Sequence, residues 1–325
     1  MHLKSLWLER TMQLSGTRPL RSTITLSPKL WALVFRSLLS LVVMALITLP
    51  RTQATDRKDA HPLSAELHAR CLKILRTGLQ SEEFWPAMHA AEALTLAGAG
   101  DEVIAALRDR VSKEKDDQHR CGLARELARA GEKRQTETLF QILGNLQSTG
   151  RTHAAESLYK VGEVGDGDLL RSAMRQSEII PLQVMAAGAL ATSGDEKAFS
   201  LLRANLQSKD QTIRNLSAWI LARLGNESDI PPILAAISNE HDEMSRTFLA
   251  AALACLGNEN GREALGQHLS SENVTARTMA AEFVGHSRSI EFRDKLIKLL
   301  DDPALDVRVR ASQSLIALSM PVSEP

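Results

Sequence analysis

Along most of this chain, small and apolar residues recur with helical spacing. In the segment ending at Gly225, Ile213, Ser217, Ile220, Leu221 and Leu224 fall on one side of a helix that turns about 100° per residue. A second stripe, Phe199, Leu201, Leu202 and Leu206, precedes it after the turn Ser193-Gly194-Asp195. The same pair of stripes returns along the chain. A short block of small residues closing on Leu or Val occurs at 90–94, 123–127, 154–158, 186–190, 217–221, 249–253, 280–284 and 311–315. Each block is followed four residues later by a terminator: Gly98, Gly131, Gly162, Gly194, Gly225, Gly257, Arg288 and Ser319. The steps are 33, 31, 32, 31, 32, 31 and 31 residues. A fixed period of this length predicts stacked helix pairs, each too small to bury its apolar side alone.

Registration on the terminators exposes two further columns. Eleven residues before them stand Ala87, Arg120, Arg151, Gln183, Arg214, Arg246, Arg277 and Arg308. Six residues earlier stand Ser81, Glu114, Asn145, Ser177, Ser208, Glu240, Ser271 and Asp302, all capping or acidic types. Such side chains satisfy the orphan N–H groups at the start of a helix, and the arginines are placed to bond the same turn or its neighbour. The two columns predict a ladder of caps and guanidinium bonds along the array. Each glycine suits a left-handed helix end.

The pattern V-R-x-x-A-A-x-A-L-x-x-L-G after a D-P turn, clearest from Leu300-Asp301-Asp302-Pro303 through Val307-Arg308 to Leu315, resembles the short HEAT-like repeats first associated with phycobilisome lyases. The resemblance implies an all-α, right-handed α-solenoid of about eight HEAT-like helix pairs over residues 82–319, with the helix of the arginine column lining the concave side. Residues 55–81 then supply a linker and an N-terminal capping helix, from His61 to Gln80, and 320–325 form a short tail.

Composition changes the picture at the N-terminus. The 325 residues carry 39 basic and 39 acidic side chains, so no global field draws the protein to nucleic acid. Residues 1–54, however, hold seven basic residues and only Glu9 as acid, which leaves 32 basic against 38 acidic in the rest. From Leu30 the chain is strongly apolar, with an uninterrupted run over 37–49 that has signal-peptide length and falls short of the ~20 residues of a membrane span. Pro50 ends it, and Thr52-Gln53-Ala54 offers a cleavage site. Residues 1–54 are expected to export the chain to the periplasm or outside. The alternatives are an uncleaved anchor over residues 30–49 with Arg36 inside it, at a cost of about 2.5–3.5 kcal/mol, or initiation at Met12. Cys71, Cys121 and Cys255 are too few and too scattered for a disulfide framework.

Candidate chemistry is sparse. His89 with Glu92 and His153 with Glu156 repeat an i,i+3 pairing. Some HEAT-like hydroxylases hold two irons with His-Glu pairs, but adjacent in sequence, and no His is followed by Glu in this chain. With neighbouring helices about 8–10 Å apart, the two pairs are expected roughly 20 Å from each other, on a solvated helix face. Residues 162–168 look faintly like a calcium loop without its twelve-residue ligand order. No G-x-S-x-G elbow, phosphate loop or H-E-x-x-H stretch occurs. No catalytic residue, metal site, cofactor or small-molecule substrate is therefore expected.

The concave row, taken one, five and nine residues after the arginine column, alternates in sign, unlike a nucleic-acid groove. Trp219 is its one large aromatic, flanked by Gly188 and Ala251, and is expected to stand in an open notch as a binding anchor; folding sideways over Leu216 and Phe248 is the plainer alternative. The resulting expectation is an exported, non-catalytic scaffold that binds a protein or peptide on its concave face through Trp219, Arg223, Asn215 and Thr247. It meets a membrane only if the N-terminal segment stays attached. The alternatives are an enzyme or enzyme accessory of the lyase or metal-hydroxylase kind, and a purely structural spacer.

Overall fold

The period of the sequence becomes helix pairs for a simple reason: each block is Ala- and Leu-rich, free of interior proline, and bounded by a capping turn before and a helix stop after. The computed structural model describes residues 61–321; the expected export segment lies outside them. Sixteen α-helices and three short 3-10 turns occur among the described residues, with no strand. They pair as α1 (Ala65–Leu79) with α2 (Phe84–Leu96), α3 (Gly100–Val111) with α4 (Asp117–Arg129), α5 (Thr136–Gly144) with α6 (Arg151–Val161), and α7 (Asp168–Met174) with α8 (Ile180–Ala191). The series continues with α9 (Glu196–Asn205) and α10 (Gln211–Leu224), α11 (Ile230–Ser238) and α12 (Glu243–Cys255), α13 (Glu259–His268) and α14 (Val274–His286), and α15 (Arg293–Leu299) and α16 (Leu305–Ser319).

The even-numbered helices carry the repeated block and form the inner layer. Four residues before each terminator, Leu94, Leu127, Leu158, Leu190, Leu221, Leu253, Val284 and Leu315 are all buried, each contributing about 1.5–3 kcal/mol by leaving water. They meet Leu75, Leu107, Leu139, Leu170, Leu202, Ile233, Leu265 and Leu296 of the outer helices, equally buried. The small residues between allow close approach of neighbours. Gly188 faces Ile220, whose Cδ1 lies 2.7 Å from where a Cβ would stand.

The ladder forms at four of its six arginines, with one shift, while Arg120 bonds Asp117 and Arg151 bonds the Leu143 carbonyl and Gln176. Arg214, Arg246, Arg277 and Arg308 each donate to the carbonyl of the residue six places earlier, at 2.6–3.3 Å. Arg214 and Arg277 also reach forward one repeat, to Glu240 at 2.6 Å and Asp302 at 2.9 Å. The helix caps themselves sit two residues beyond the expected column. Asp116, Asp210, Asp242 and Asn273 accept from the first helical N–H groups. Glu114, Ser208, Glu240 and Ser271 instead accept from the N–H of those capping residues and tie the turn. The helix stop holds even where glycine is lost: Arg288 takes φ 56° and anchors its guanidinium on the carbonyls of Ala317 and Met320. Gly225 departs from the column with φ −72°.

The array does not remain an open row. Helix α16 packs against both α1 and α2, so the first and last repeats meet and the solenoid closes on itself. Helix α1 starts at Ala65 behind the N-cap Ser64 and, rather than capping a free end, joins this seam. Arg70 pairs with Asp301 across it, His89 with Asp306, and Glu92 with Arg310. Eight inner helices spaced about 8–10 Å apart describe a circle roughly 20–25 Å across at their axes. Subtracting the inner half-thickness of the helices, about 5 Å on each side, leaves a space that long side chains can fill.

Candidate functional site

The interior of this ring is where chemistry collects. Its lining follows positions two, five and nine after the arginine column. A step of three and then four residues returns to nearly the same side of a helix, whereas two steps of four drift about 80° away. The residues one after the column therefore turn into the contacts between helices. Met88, Cys121, Val184, Asn215, Thr247 and Val309 are buried there.

The middle layer reads Glu92, Arg125, Glu156, Gly188, Trp219, Ala251, Glu282 and Gln313 around the ring. On the side of α2, α4, α6, α14 and α16 it is a network of ion pairs. Arg125 bonds Glu126 at 2.6 Å, and Arg129 joins Glu126 to Glu92. Arg310 bonds Glu92 at 3.1 Å, Glu282 at 3.3 Å and Gln313 at 2.7 Å. Arg223 pairs with Glu282, and Lys160 lies 2.9 Å from Glu156. Burial works to raise the carboxyls of Glu92, Glu156 and Glu282, but the facing cations outweigh it and hold all three well below the usual carboxylate range. Those cations are Arg129 and Arg310 for Glu92, Lys160 for Glu156, and Arg310 and Arg223 for Glu282.

The His-Glu pairs are drawn toward this interior and are half-buried, where a solvated face was expected. His153 keeps its i,i+3 contact with Glu156 at 3.4 Å and stacks on Trp85. His89 turns to Asp306, with Nδ1 2.7 Å from Oδ1. Side chains two repeats apart can meet on the inside of a closed curve, and His89 and Glu156 border one cavity. Arg223 reaches past α12 to Glu282, and Tyr159 reaches past α8 to Trp219. Among the described residues no group of three or more His, Cys, Asp and Glu side chains is arranged to hold a metal ion.

Toward the N-terminal ends of the inner helices the side chains leave a cavity of about 280 Å³. One wall is apolar: Met185, Leu216, Trp219, Phe248 and Met279. The other is formed by His89, Glu156, Lys160, Glu282, Asp306 and Arg310. Trp219 does not stand in an open notch. It is 7% exposed, with Tyr159 edge-on at 5.1 Å, Arg223 over its ring at 4.5 Å and Lys160 at 5.2 Å. It reaches the cavity only as part of the wall. Arg223 lies beyond the cavity, between the rings of Trp219 and Phe283. Asn215 is buried between helices. Thr247 is fully buried, donates to the Glu243 carbonyl at 2.8 Å and faces His268 of the outer layer. Of the four expected contact residues, Trp219 alone borders the cavity. His89, Asp306 and Arg310 were missed as a set because they sit 217 and 221 residues apart in sequence; only closure unites them.

An all-helical ring of 31- to 33-residue pairs with a ladder of arginines is an α-helical repeat array. Residues 167–254 match the HEAT repeat family. Human deoxyhypusine hydroxylase in complex with glycerol is similar in structure at 18% identity, over 78% of this chain and 97% of that one, with a TM-score of 0.39. Two engineered proteins are also similar. One is 20% identical over 77% of this chain and 78% of its own, TM-score 0.31; the other is 18% identical over 76% and 96%, TM-score 0.25. No curated protein matches the chain.

Proposed function

We propose that this HEAT-like ring is an exported, non-catalytic scaffold that binds a protein or peptide at the concave side of its repeats, one partner side chain entering the central cavity. The observation that carries this reading is a cavity with an apolar wall, where Leu216, Phe248 and Met279 stay partly exposed beside the buried Met185 and Trp219, facing a wall of paired charges. An α-helix about 10 Å across needs several hundred Å³ for two turns, more than the cavity holds. An extended segment inserting one anchor is the better fit. Export rests on the basic and then apolar order of residues 1–54.

A photo-crosslinking residue in place of Leu216 or Phe248, used in the native compartment and mapped by mass spectrometry, tests the site. Crosslinks to one partner segment from these positions, and none from the outer-surface position Glu137, are expected. Equal yield from both surfaces overturns the reading. N-terminal sequencing of the mature chain and fractionation test export. The enzyme alternative draws support from His89, an imidazole held by a carboxylate in a cavity wall. Elemental analysis and an absorption spectrum of the purified protein address the metal- or chromophore-dependent form of that alternative.

A further inference from the structure

The two walls of the cavity differ in what they leave unsatisfied. On the polar wall every ion is answered within the chain. Glu156 faces Lys160 at 2.9 Å, Glu282 is shared by Arg310 at 3.3 Å and Arg223, and Arg310 also acts on Asp306. Deeper in the ring, Arg125 and Arg129 meet Glu126 and Glu92. Burial and the nearby Arg310 push the His89 imidazole below its ordinary value, so at neutral pH it is uncharged and the wall is balanced. What remains is one lone pair. His89 Nδ1 carries the proton that faces Asp306 Oδ1, which makes Nε2 the acceptor of the ring. No described residue donates to it. The opposite wall offers two thioethers, Met185 and Met279, beside the rings of Phe248 and Trp219, a surface that suits an aromatic group.

Resting on the peptide-binding reading above, we propose that the anchor entering the cavity is a tyrosine side chain, its ring against Met185, Phe248 and Met279 and its hydroxyl donating to His89 Nε2. A cation would enter beside Lys160 and Arg310, and an anion beside Glu156, Glu282 and Asp306. Either would give up its water with no unpaired counter-ion to receive it. A wholly apolar side chain would strip water from Nε2 and return nothing. A carboxamide brings a second polar group, its carbonyl, against a wall that has no donor for it. The phenol is neutral at pH 7 and carries a single hydroxyl at the tip of an apolar body. At about 280 Å³ the cavity falls below the roughly 300–1,000 Å³ of sites that enclose a whole small-molecule ligand, which fits one side chain of a longer partner.

The test titrates the full-length protein at pH 7 with p-cresol, 4-methylanisole, 4-methylbenzylammonium and 4-methylbenzoate, following binding by calorimetry. p-Cresol is expected to bind about fivefold more tightly than 4-methylanisole, which lacks the donor, and at least about tenfold more tightly than either ion. His89→Phe, which removes the acceptor and keeps a ring, is expected to erase the preference over 4-methylanisole, while the outer-surface control Glu137→Gln retains it. If His89→Phe fails to fold, the nitrogen NMR signal of His89 Nε2 in the unaltered protein makes the same test, since it is expected to move with p-cresol and not with 4-methylanisole. Leu216→Trp, at a half-exposed position, fills the cavity and is expected to abolish binding. Absence of p-cresol binding, equal binding of p-cresol and 4-methylanisole, tighter binding of either ion, or p-cresol binding that survives Leu216→Trp each overturns the assignment. The crosslinking experiment separates the two readings. p-Cresol binding with no partner segment captured at Leu216 upholds the cavity assignment and overturns the peptide reading; a captured segment without tyrosine does the reverse.

Discussion

The inner rim is one helix repeated eight times, yet its two arcs are built on different physics. In α8, α10 and α12 the middle layer is Gly188, Trp219 and Ala251, and the rim toward the helix starts is Met185, Leu216 and Phe248. In the remaining five helices the middle layer is Glu92, Arg125, Glu156, Glu282 and Gln313, locked by Arg129, Lys160, Arg223 and Arg310. The apolar arc stabilises by excluding water and needs no exact partner. The charged arc holds only if every member stays, since a buried ion that loses its partner is far worse placed than the pair was. The seam falls in the charged arc. Closure therefore depends on complementarity as well as burial.

Removing Arg310 is the strongest way to break this contrast. Arg310→Ala leaves Glu92 and Glu282 each short of a cation and is expected to cost about 3–5 kcal/mol, a fall in Tm on the order of 10 °C. Arg310→Met combined with Glu282→Gln is expected to lose less than the single change. A scanning calorimetry trace in which Arg310→Ala costs under about 1 kcal/mol would show the network to be ornamental. On the other arc, Gly188→Leu drives a side chain into Ile220 and is expected to cost about 1–3 kcal/mol by overpacking, with chemical denaturation as the readout.

Acid separates the arcs without mutation. The carboxyls of Glu92, Glu156 and Glu282 are depressed in the folded state, so their contribution is present above their unfolded values near 4.3 and lost as pH falls through the folded ones. For His89 and His286, burial and the facing Arg310 or Arg223 lower the folded value. The unfolded chain then takes up protons first, and stability falls as pH drops below about 6.5. Both effects point the same way. Between pH 7.5 and 5.0, amide protection measured against the unfolded chain at the same pH is expected to fall in α2, α14 and α16 before α8, α10 and α12; a uniform fall would dissolve the distinction. The smallest effect concerns what the arcs share. Asp116→Ala on the charged arc and Asp210→Ala on the apolar arc each remove one helix cap and are expected to cost about 1 kcal/mol alike. Unequal costs in thermal melts would show that capping depends on the arc.

Much of this was legible from register alone. The terminators located every inner helix, and the arginine column announced bonds that Arg214, Arg246, Arg277 and Arg308 make. The caps were misplaced by two residues because Ser208 and Asp210 are both capping types, and composition cannot say which one meets the helix and which ties the turn before it. The binding patch was only partly legible. Choosing Asn215 and Thr247 followed a four-residue step that rotates off the inner face, and the notch around Trp219 assumed an open concavity.

Period, helix polarity, the inner and outer faces and the ladder follow from this sequence by itself, because each is a local property repeated at a fixed spacing. That the first repeat meets the last is decided only in three dimensions: curvature is a sum of small rotations over eight interfaces, and no single residue type records it. The meeting of His89 with Asp306, the enclosure of Trp219 and the cavity between them depend on that sum.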